Sequence, residues 1–302
     1  MDYKKLKNFV LNHNVKGKYK FTNRSRGEKK LCLFLIGYKK ALWPNIVTRF
    51  IKYIPKDIDV CLLSSGRYFD ELEKMAEENS WSYISTKKNN VCLIQNIAIN
   101  SFPNAELIYK VDEDIFLTEG VFEKMEGALR KGEESLPYKV GMAAPLLNVN
   151  AYGFYKILEK LGKLDEYEKR FGKPYMVAGQ TTPIETSLDI AKFMWGEDGV
   201  VPQIDELNKR FSKEENISVC PIRLSIGCIL YKRSFWESFW RFPVVFGNGM
   251  GLDETIAIGA SAANSQVLIV AENAVVGHFS YAPQTKMMMA MYESRPELFQ
   301  IP

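Results

Sequence analysis

Leu107-Ile108-Tyr109-Lys110-Val111-Asp112-Glu113-Asp114-Ile115-Phe116-Leu117 is the stretch on which the reading of this chain turns. An apolar run of strand-like composition stops on acids and then resumes. Side chains alternate across a strand, so Asp112 and Asp114 are expected to point one way and Glu113 the other. An isolated Asp-x-Asp commonly lies in a solvated turn. Here the acids are embedded in apolar sequence, where two unpaired carboxylates repel each other and are costly to desolvate. A divalent cation relieves both problems. Asp112 and Asp114 are therefore candidate metal ligands at the end of a buried strand.

Working outward, the preceding sequence alternates between apolar runs and helical spacings. Strands are expected at 31–37, 58–64 and 81–85, and helices at 43–54, 68–79 and 90–100, the last with Val91, Ile94 and Ala98 on one side. Pro44 suits a first helical turn. This alternation predicts an α/β fold with a mainly parallel central sheet flanked by helices. Ligands bind such sheets at the carboxyl ends of the strands. The loops at 37–38, 64–67, 87–90 and 112–114 would then share one rim. Beyond the acidic strand come a helix from Val121 to Lys131 and a strand from Val140 that should end at Pro145. Regularity then stops. Residues 148–217 read as an inserted helical subdomain or lid, with helical character from Tyr152 to Phe171 and from Leu188 to Trp195. Strand character returns at 222–231. A helix from Arg233 to Phe239, a glycine-rich loop at 246–251 and a helix from about Asp253 to Asn264 follow. Two further strand segments, 267–270 and 275–280, precede a methionine-rich C-terminal helix. The expected organisation is a basic N-terminal arm (1–30), a ligand-binding half (31–147), the insertion (148–217), a second, catalytic half (218–282) and a terminal helix (283–302).

Composition narrows the class. The 302 residues are 46% hydrophobic and 25% charged, which supports a sizeable core. A net charge of +4, with no basic-aromatic recognition motif, argues against a nucleic-acid partner. No apolar run approaches the roughly 20 residues needed to span a bilayer, and residues 1–5 do not begin a signal peptide, so a cytosolic protein is expected. Cys32, Cys61, Cys92, Cys220 and Cys228 contain no Cys-x-x-Cys pair and read as small core residues. With only His13 and His278, a structural zinc site is not expected. Residues 1–30 are basic and polar. They read either as a solvated arm or peripheral helix, or as a segment attracted to an anionic membrane surface.

Three ordered motifs carry a family resemblance. They are Gln95-Asn96 followed by Lys110-Val111-Asp112-Glu113-Asp114; then Gly227-Cys228-Ile229-Leu230-Tyr231-Lys232-Arg233-Ser234-Phe235-Trp236; then Gly251-Leu252-Asp253-Glu254-Thr255-Ile256 with Gly277-His278. Over about 31–120 and 222–280 the chain resembles family 2 glycosyltransferases of the GT-A fold. The resemblance implies a nucleotide-sugar donor, most often a UDP-sugar, a glycan or lipid-linked acceptor, and Mn2+ or Mg2+ as cofactor. By that resemblance Asp114 is the direct metal ligand. Asp112 holds ribose or reaches the metal through water, and His278 is a further metal or diphosphate contact. Asp253 falls where the family places its catalytic base, with Leu252 replacing the usual acid before it, so Glu254 is a rival. Both also suit a helix N-terminus. An attacking hydroxyl must lose its proton, which favours inversion with a carboxylate base.

Ile36, Gly37 and Tyr38 stand where the family's first strand meets the base, and Ser65, Arg67 and Lys88 could contact uracil or phosphate. Gln95 and Asn96 occupy the family's Arg-Asn position without its arginine. Glu113 completes the candidate donor-contacting set. Trp195-Gly196-Glu197-Asp198 resembles a galactosyltransferase motif, but the sequence after it reads as loop, and a turn is expected there. Two alternatives are a sugar-nucleotide nucleotidyltransferase, for which Gly37-Tyr38-Lys39-Lys40 is a poor phosphate loop, and a non-catalytic glycan-binding protein on the same fold.

Overall fold

The computed structural model describes residues 2–177, 182–222, 226–244, 259, 261 and 265–302. The chain forms two compact units. The first contains residues 1–40, 55–113 and 228–266. The second contains 41–54, 114–227 and 267–302, so the chain passes from one to the other between Glu113 and Asp114.

In the first unit, strands β2 (Lys30–Leu35), β3 (Asp59–Ser64), β4 (Ser82–Thr86) and β5 (Leu107–Asp112) run in the order β4-β3-β2-β5 with every pairing parallel. Antiparallel strands β1 (Tyr19–Thr22) and β9 (Cys228–Lys232) flank them on β4 and β5. The chain is thus a mixed α/β protein with a mostly parallel central sheet flanked by helices, as the alternation predicts. All residues of β3 and β4 are buried, which is why β3 reads as a continuous apolar run rather than an alternating one. Helix α3 (Asp70–Glu78) packs on β4, and α4 (Val91–Ser101) packs on β3 and β4. Residues 91–99 are all buried, so α4 is enclosed all round instead of presenting one apolar side. Asn96 explains its far side: its amide donates to the carbonyls of Asn14 and Phe242 and its oxygen accepts from Trp236 Nε1 and Phe242 N–H.

The N-terminal 30 residues are more ordered than an arm. They supply helix α1 (Tyr3–His13), strand β1 and a loop wrapped around Asp59. That carboxylate is 3% exposed. It accepts from Ser25 Oγ at 2.6 Å and from the backbone N–H groups of Arg26, Gly27 and Glu28 at 3.0–3.2 Å. Burial alone would raise its pKa, but these donors outweigh it and hold the group below the usual carboxylate range.

In the second unit, β10 (Gln266–His278) pairs with β7 (Lys139–Leu147) and, antiparallel, with β6 (Ile115–Phe116) and β8 (Ile217–Val219). Two expectations change here. Strand β7 continues past Pro145, and β10 is one strand of 13 residues instead of two segments. Glu272, which reads locally as a break, lies within 3.5 Å of Lys156 Nζ and 3.6 Å of Lys160 Nζ, and those cations make its burial tolerable. Residues 148–217 are helical: α6 (Gly153–Leu161), α7 (Leu164–Phe171), α8 (Pro183–Thr186), α9 (Leu188–Met194) and α10 (Ile204–Phe211). Gly162, at φ +64°, ends α6 and divides the single helical stretch expected there. Helix α10 has no counterpart in the expected elements. Of the expected helix at 253–264 only residues 259 and 261 are described, both helical; the rest, and the turn at 179–181, lie outside the described residues. Arg49, on α2 (Trp43–Tyr53), is fully buried. It forms a bidentate pair with Asp205 at 3.0 and 2.7 Å and donates to the carbonyls of Leu117, Phe299 and Gln300. All five Cys are free and buried. No helix among the described residues is long and apolar enough to cross a membrane.

Two predictions follow from buried charge. Arg49→Ala should destabilise the protein by about 3–5 kcal/mol in urea unfolding, because it takes the cation from the Asp205 carboxylate and a donor from three carbonyls. Arg49→Lys should recover little of that, since one ammonium cannot reproduce the fork. Asp59, with its folded pKa depressed, contributes stability that is present above its unfolded value of about 4 and is lost as pH falls through the folded value. Asp59→Asn should therefore lower stability at neutral pH and flatten the acid limb below about pH 4, as read by unfolding across pH.

Candidate functional site

The acidic stretch is resolved residue by residue. Strand β5 ends at Asp112, residues 113–114 form a turn, and β6 begins at Ile115. The alternation argument for Asp112 and Asp114 therefore does not extend through the turn. Each acid instead finds its own partner. Asp112 Oδ2 lies 2.7 Å from Lys110 Nζ, an ammonium whose side chain is only 2% exposed.

Glu113 is 7% exposed. Its oxygens accept from Gly37 N–H at 2.9 Å and from Tyr38 N–H at 2.8 and 3.0 Å. This clamp fixes the turn that leaves β2. Gly37 sits at φ +153°, and a Cβ there would lie 3.0 Å from the Phe69 ring, so only glycine fits. The neighbouring rim is tied down as well. Ile36 is buried, with its N–H on Leu63 O at 2.9 Å. Tyr38 OH donates to Ser65 O. Burial raises the Tyr38 pKa, with Arg67 opposing and Glu113 adding to the rise. Ser65 Oγ accepts from Asn90 N–H at 2.7 Å, and Asn90 in turn caps α4. The Arg67 guanidinium lies 5.6 Å from the Phe69 ring centroid. The structure thus gathers Ile36, Gly37, Tyr38, Ser65, Arg67 and Glu113 at the carboxyl ends of the parallel strands of the first unit. It does not bring Gln95 and Asn96 to that rim as exposed groups. Both are fully buried, and Asn96 is committed to the four hydrogen bonds described above. Asn96, a candidate donor contact, has its amide committed to packing. A cavity of about 320 Å³ in the same unit is lined by Asn23, Ser25, Arg26 and Asn104, beside the amino ends of β2 and β5 and not among the rim loops.

In the second unit, Asp114 and His278 meet at the end of the short β6–β10 ladder, where Ile115 faces His278. Asp114 Oδ2 is 3.6 Å from His278 Nε2, and the side chains are 10% and 11% exposed. Phe279 N–H donates to Asp114 O at 2.9 Å. The imidazole is held from several sides. Its Nδ1 lies 2.8 Å from Val149 O, its backbone N–H donates to Asn148 Oδ1 at 2.9 Å, and the Tyr281 ring packs against it edge-on at 4.8 Å. Trp195, fully buried, donates its Nε1–H to the carbonyls of His278 and Phe279 at 3.2 and 3.1 Å. Gly277 makes room for it: a Cβ there would sit 2.4 Å from the indole. Residues 195–198 form a turn, as expected, but its tryptophan anchors the strand end that carries His278. Asn148, Val149 and Trp195 were not among the candidates read from sequence. A glycine directly before a lone histidine was the one local sign of a crowded neighbour.

A carbonyl oxygen can only accept, so the Val149 contact places a hydrogen on Nδ1. In the neutral form of the ring, the Nε2 lone pair then faces the Asp114 carboxylate. Two acceptors facing each other across 3.6 Å call for a cation or a proton between them. One imidazole and one carboxylate, the ring oriented by a carbonyl, are a donor set that suits Mn2+ or Mg2+. Among the described residues no group of three His, Cys, Asp or Glu could hold a metal. The protein's own share would be two donors, as is common where substrate phosphates and water complete the shell. Asp253 and Glu254, the candidate base and its rival, lie outside the described residues.

No family model and no curated protein matches the chain. Among solved structures it is similar to the mannosyltransferase PcManGT from Pyrobaculum calidifontis in complex with GDP-Man and Mn2+, at 11% identity and a TM-score of 0.47. The match covers 90% of this chain and 63% of that one, so this chain spans less than two thirds of its neighbour. A similarity this low assigns no activity to the chain.

The histidine geometry yields a direct check. Without added metal, the neutral form of His278 should be the Nδ1–H tautomer. Nitrogen-15 correlation spectra of a chain with two histidines can resolve it. A dominant Nε2–H form would refute the orientation.

Proposed function

We propose that this protein is a divalent-metal-dependent glycosyltransferase that moves a sugar from a nucleotide donor, a UDP-sugar first among the candidates, to a glycan or lipid-linked acceptor. The observation that carries this reading is the Asp114–His278 pair: two metal-competent acceptors face each other, and the ring is held in one orientation by Val149, Asn148 and Trp195. The ordered sequence motifs support the same reading. Asp114 and His278 are assigned to the cation. When bound, Mn2+ or Mg2+ would neutralise the negative charge that grows on a diphosphate leaving group.

The remaining roles belong to the chain's own residues. Glu113, by gripping the amides of Gly37 and Tyr38, holds their backbone and the Tyr38 ring in place for the nucleoside. Ser65 and Arg67 are assigned to polar contacts with the base or phosphate, and Asp112, held by Lys110, to the ribose. Asp253 is assigned to take the proton from the acceptor hydroxyl, which fits an inverting displacement, with Glu254 as the alternative base.

A thermal-shift screen of UDP-, GDP- and CDP-sugars, each with and without Mn2+, tests the reading. One donor should raise the melting temperature in a Mn2+-dependent way. Asp114→Asn and His278→Ala should each weaken Mn2+ binding by more than the about 10–100-fold typical of losing an outer-shell partner, measured on Mn2+ alone by electron paramagnetic resonance. Asp253→Asn should retain donor binding and lose about 10²–10⁴-fold in turnover. Absence of stabilisation by every donor–metal pair would defeat the proposal and favour a non-catalytic protein.

A further inference from the structure

Helix α1 carries no buried residue. Leu6, Val10 and His13 recur at the spacing of one helical face and are half-buried. Lys5, Phe9 and Asn12 recur at the same spacing on another face and are exposed. Phe9 is 67% exposed and Tyr3 65%. The helix is fastened mainly at its C-terminal end. Asn14 donates to Trp240 O at 3.2 Å and accepts from Val244 N–H at 3.1 Å, and Arg241 donates to Leu11 O. Lys4, Lys5 and Lys7 are exposed and form no ion pair among the described residues. Charge is concentrated in this part of the chain. Residues 1–27 contain eight Lys and Arg against Asp2 alone, whereas the whole chain is only +4, so the remainder is net acidic.

We propose that α1 is a docking helix for an anionic lipid surface, with Phe9 entering the interfacial layer, Lys5 on the same face reaching the phosphate headgroups, and Lys4 and Lys7 adding positive charge from the other exposed sides of the helix. A large exposed aromatic flanked by unpaired lysines matches that boundary, which is apolar on one side and anionic on the other. A second copy of the chain would instead set like charges against each other, and a soluble polyanion would leave Phe9 in water. The inference stands apart from the glycosyltransfer reading, because it uses none of the residues assigned to donor or metal.

Co-sedimentation of the full chain with vesicles decides it, comparing phosphatidylcholine alone with phosphatidylcholine containing one third phosphatidylglycerol. Binding should require the anionic lipid and fall steeply with salt. Replacing Lys4, Lys5 and Lys7 together by Gln should lower partitioning about 100-fold, at about fivefold per lysine. Phe9→Ser should lower it about tenfold with the charge unchanged. Both variants should melt like the parent, since no residue of α1 is buried. Anionic vesicles should slow hydrogen exchange in residues 3–13 of the unmodified chain. No binding, equal binding to neutral vesicles, or Phe9→Ser binding as well as the parent would each overturn the proposal.

Discussion

A carboxylate withdrawn from water must find a cation, a proton or a ring of donors, and residues 112–114 show this demand met in three ways in succession. Asp112 is met by the buried ammonium of Lys110 two residues earlier. Glu113 is met by backbone amides that a turn at Gly37 turns toward it. Asp114 faces an imidazole held in place from behind, and that pair calls for a cation or a proton between its two acceptors. The first two solutions lie within the first unit and the third within the second. Folding each unit therefore requires its own acid to be satisfied.

The central sheet was legible because buried parallel strands leave an unmistakable trace: β2, β3, β4 and β5 all fall within two residues of the apolar runs that announce them. Local pattern failed where the compensating group lies far along the chain. Glu272 looked like a break in β10 because Lys156 and Lys160 stand more than a hundred residues before it. Helix α4 looked one-sided because the residues that cover its outer face come from positions 14 and 236–242. The N-terminal loop looked solvated because its role as a cradle shows only once Asp59 is placed beside it.

The candidate site divides along the same line. Asp114 could be picked out by residue type, since carboxylates in apolar surroundings are conspicuous, whereas His278 came only from the resemblance of the motifs around it. Their second layer could be found by neither route. Asn148 and Val149 directly follow a strand and carry no motif, and Trp195 belongs to a segment whose sequence suggested only a turn. Asn96 shows the opposite error: an amide at a motif position proves to be a clasp between α4 and the loop at 240–242, with nothing left to offer a ligand.

The indole contact between Trp195 and the end of β10 changes what residues 148–217 are. A segment that looks like a detachable lid contributes one wall of the histidine's socket, and Gly277 is shaped around that wall. Exchanging the whole segment for another would remove part of the histidine's scaffold along with it. The border of any transplant should fall after Asp198, so that the native tryptophan stays behind.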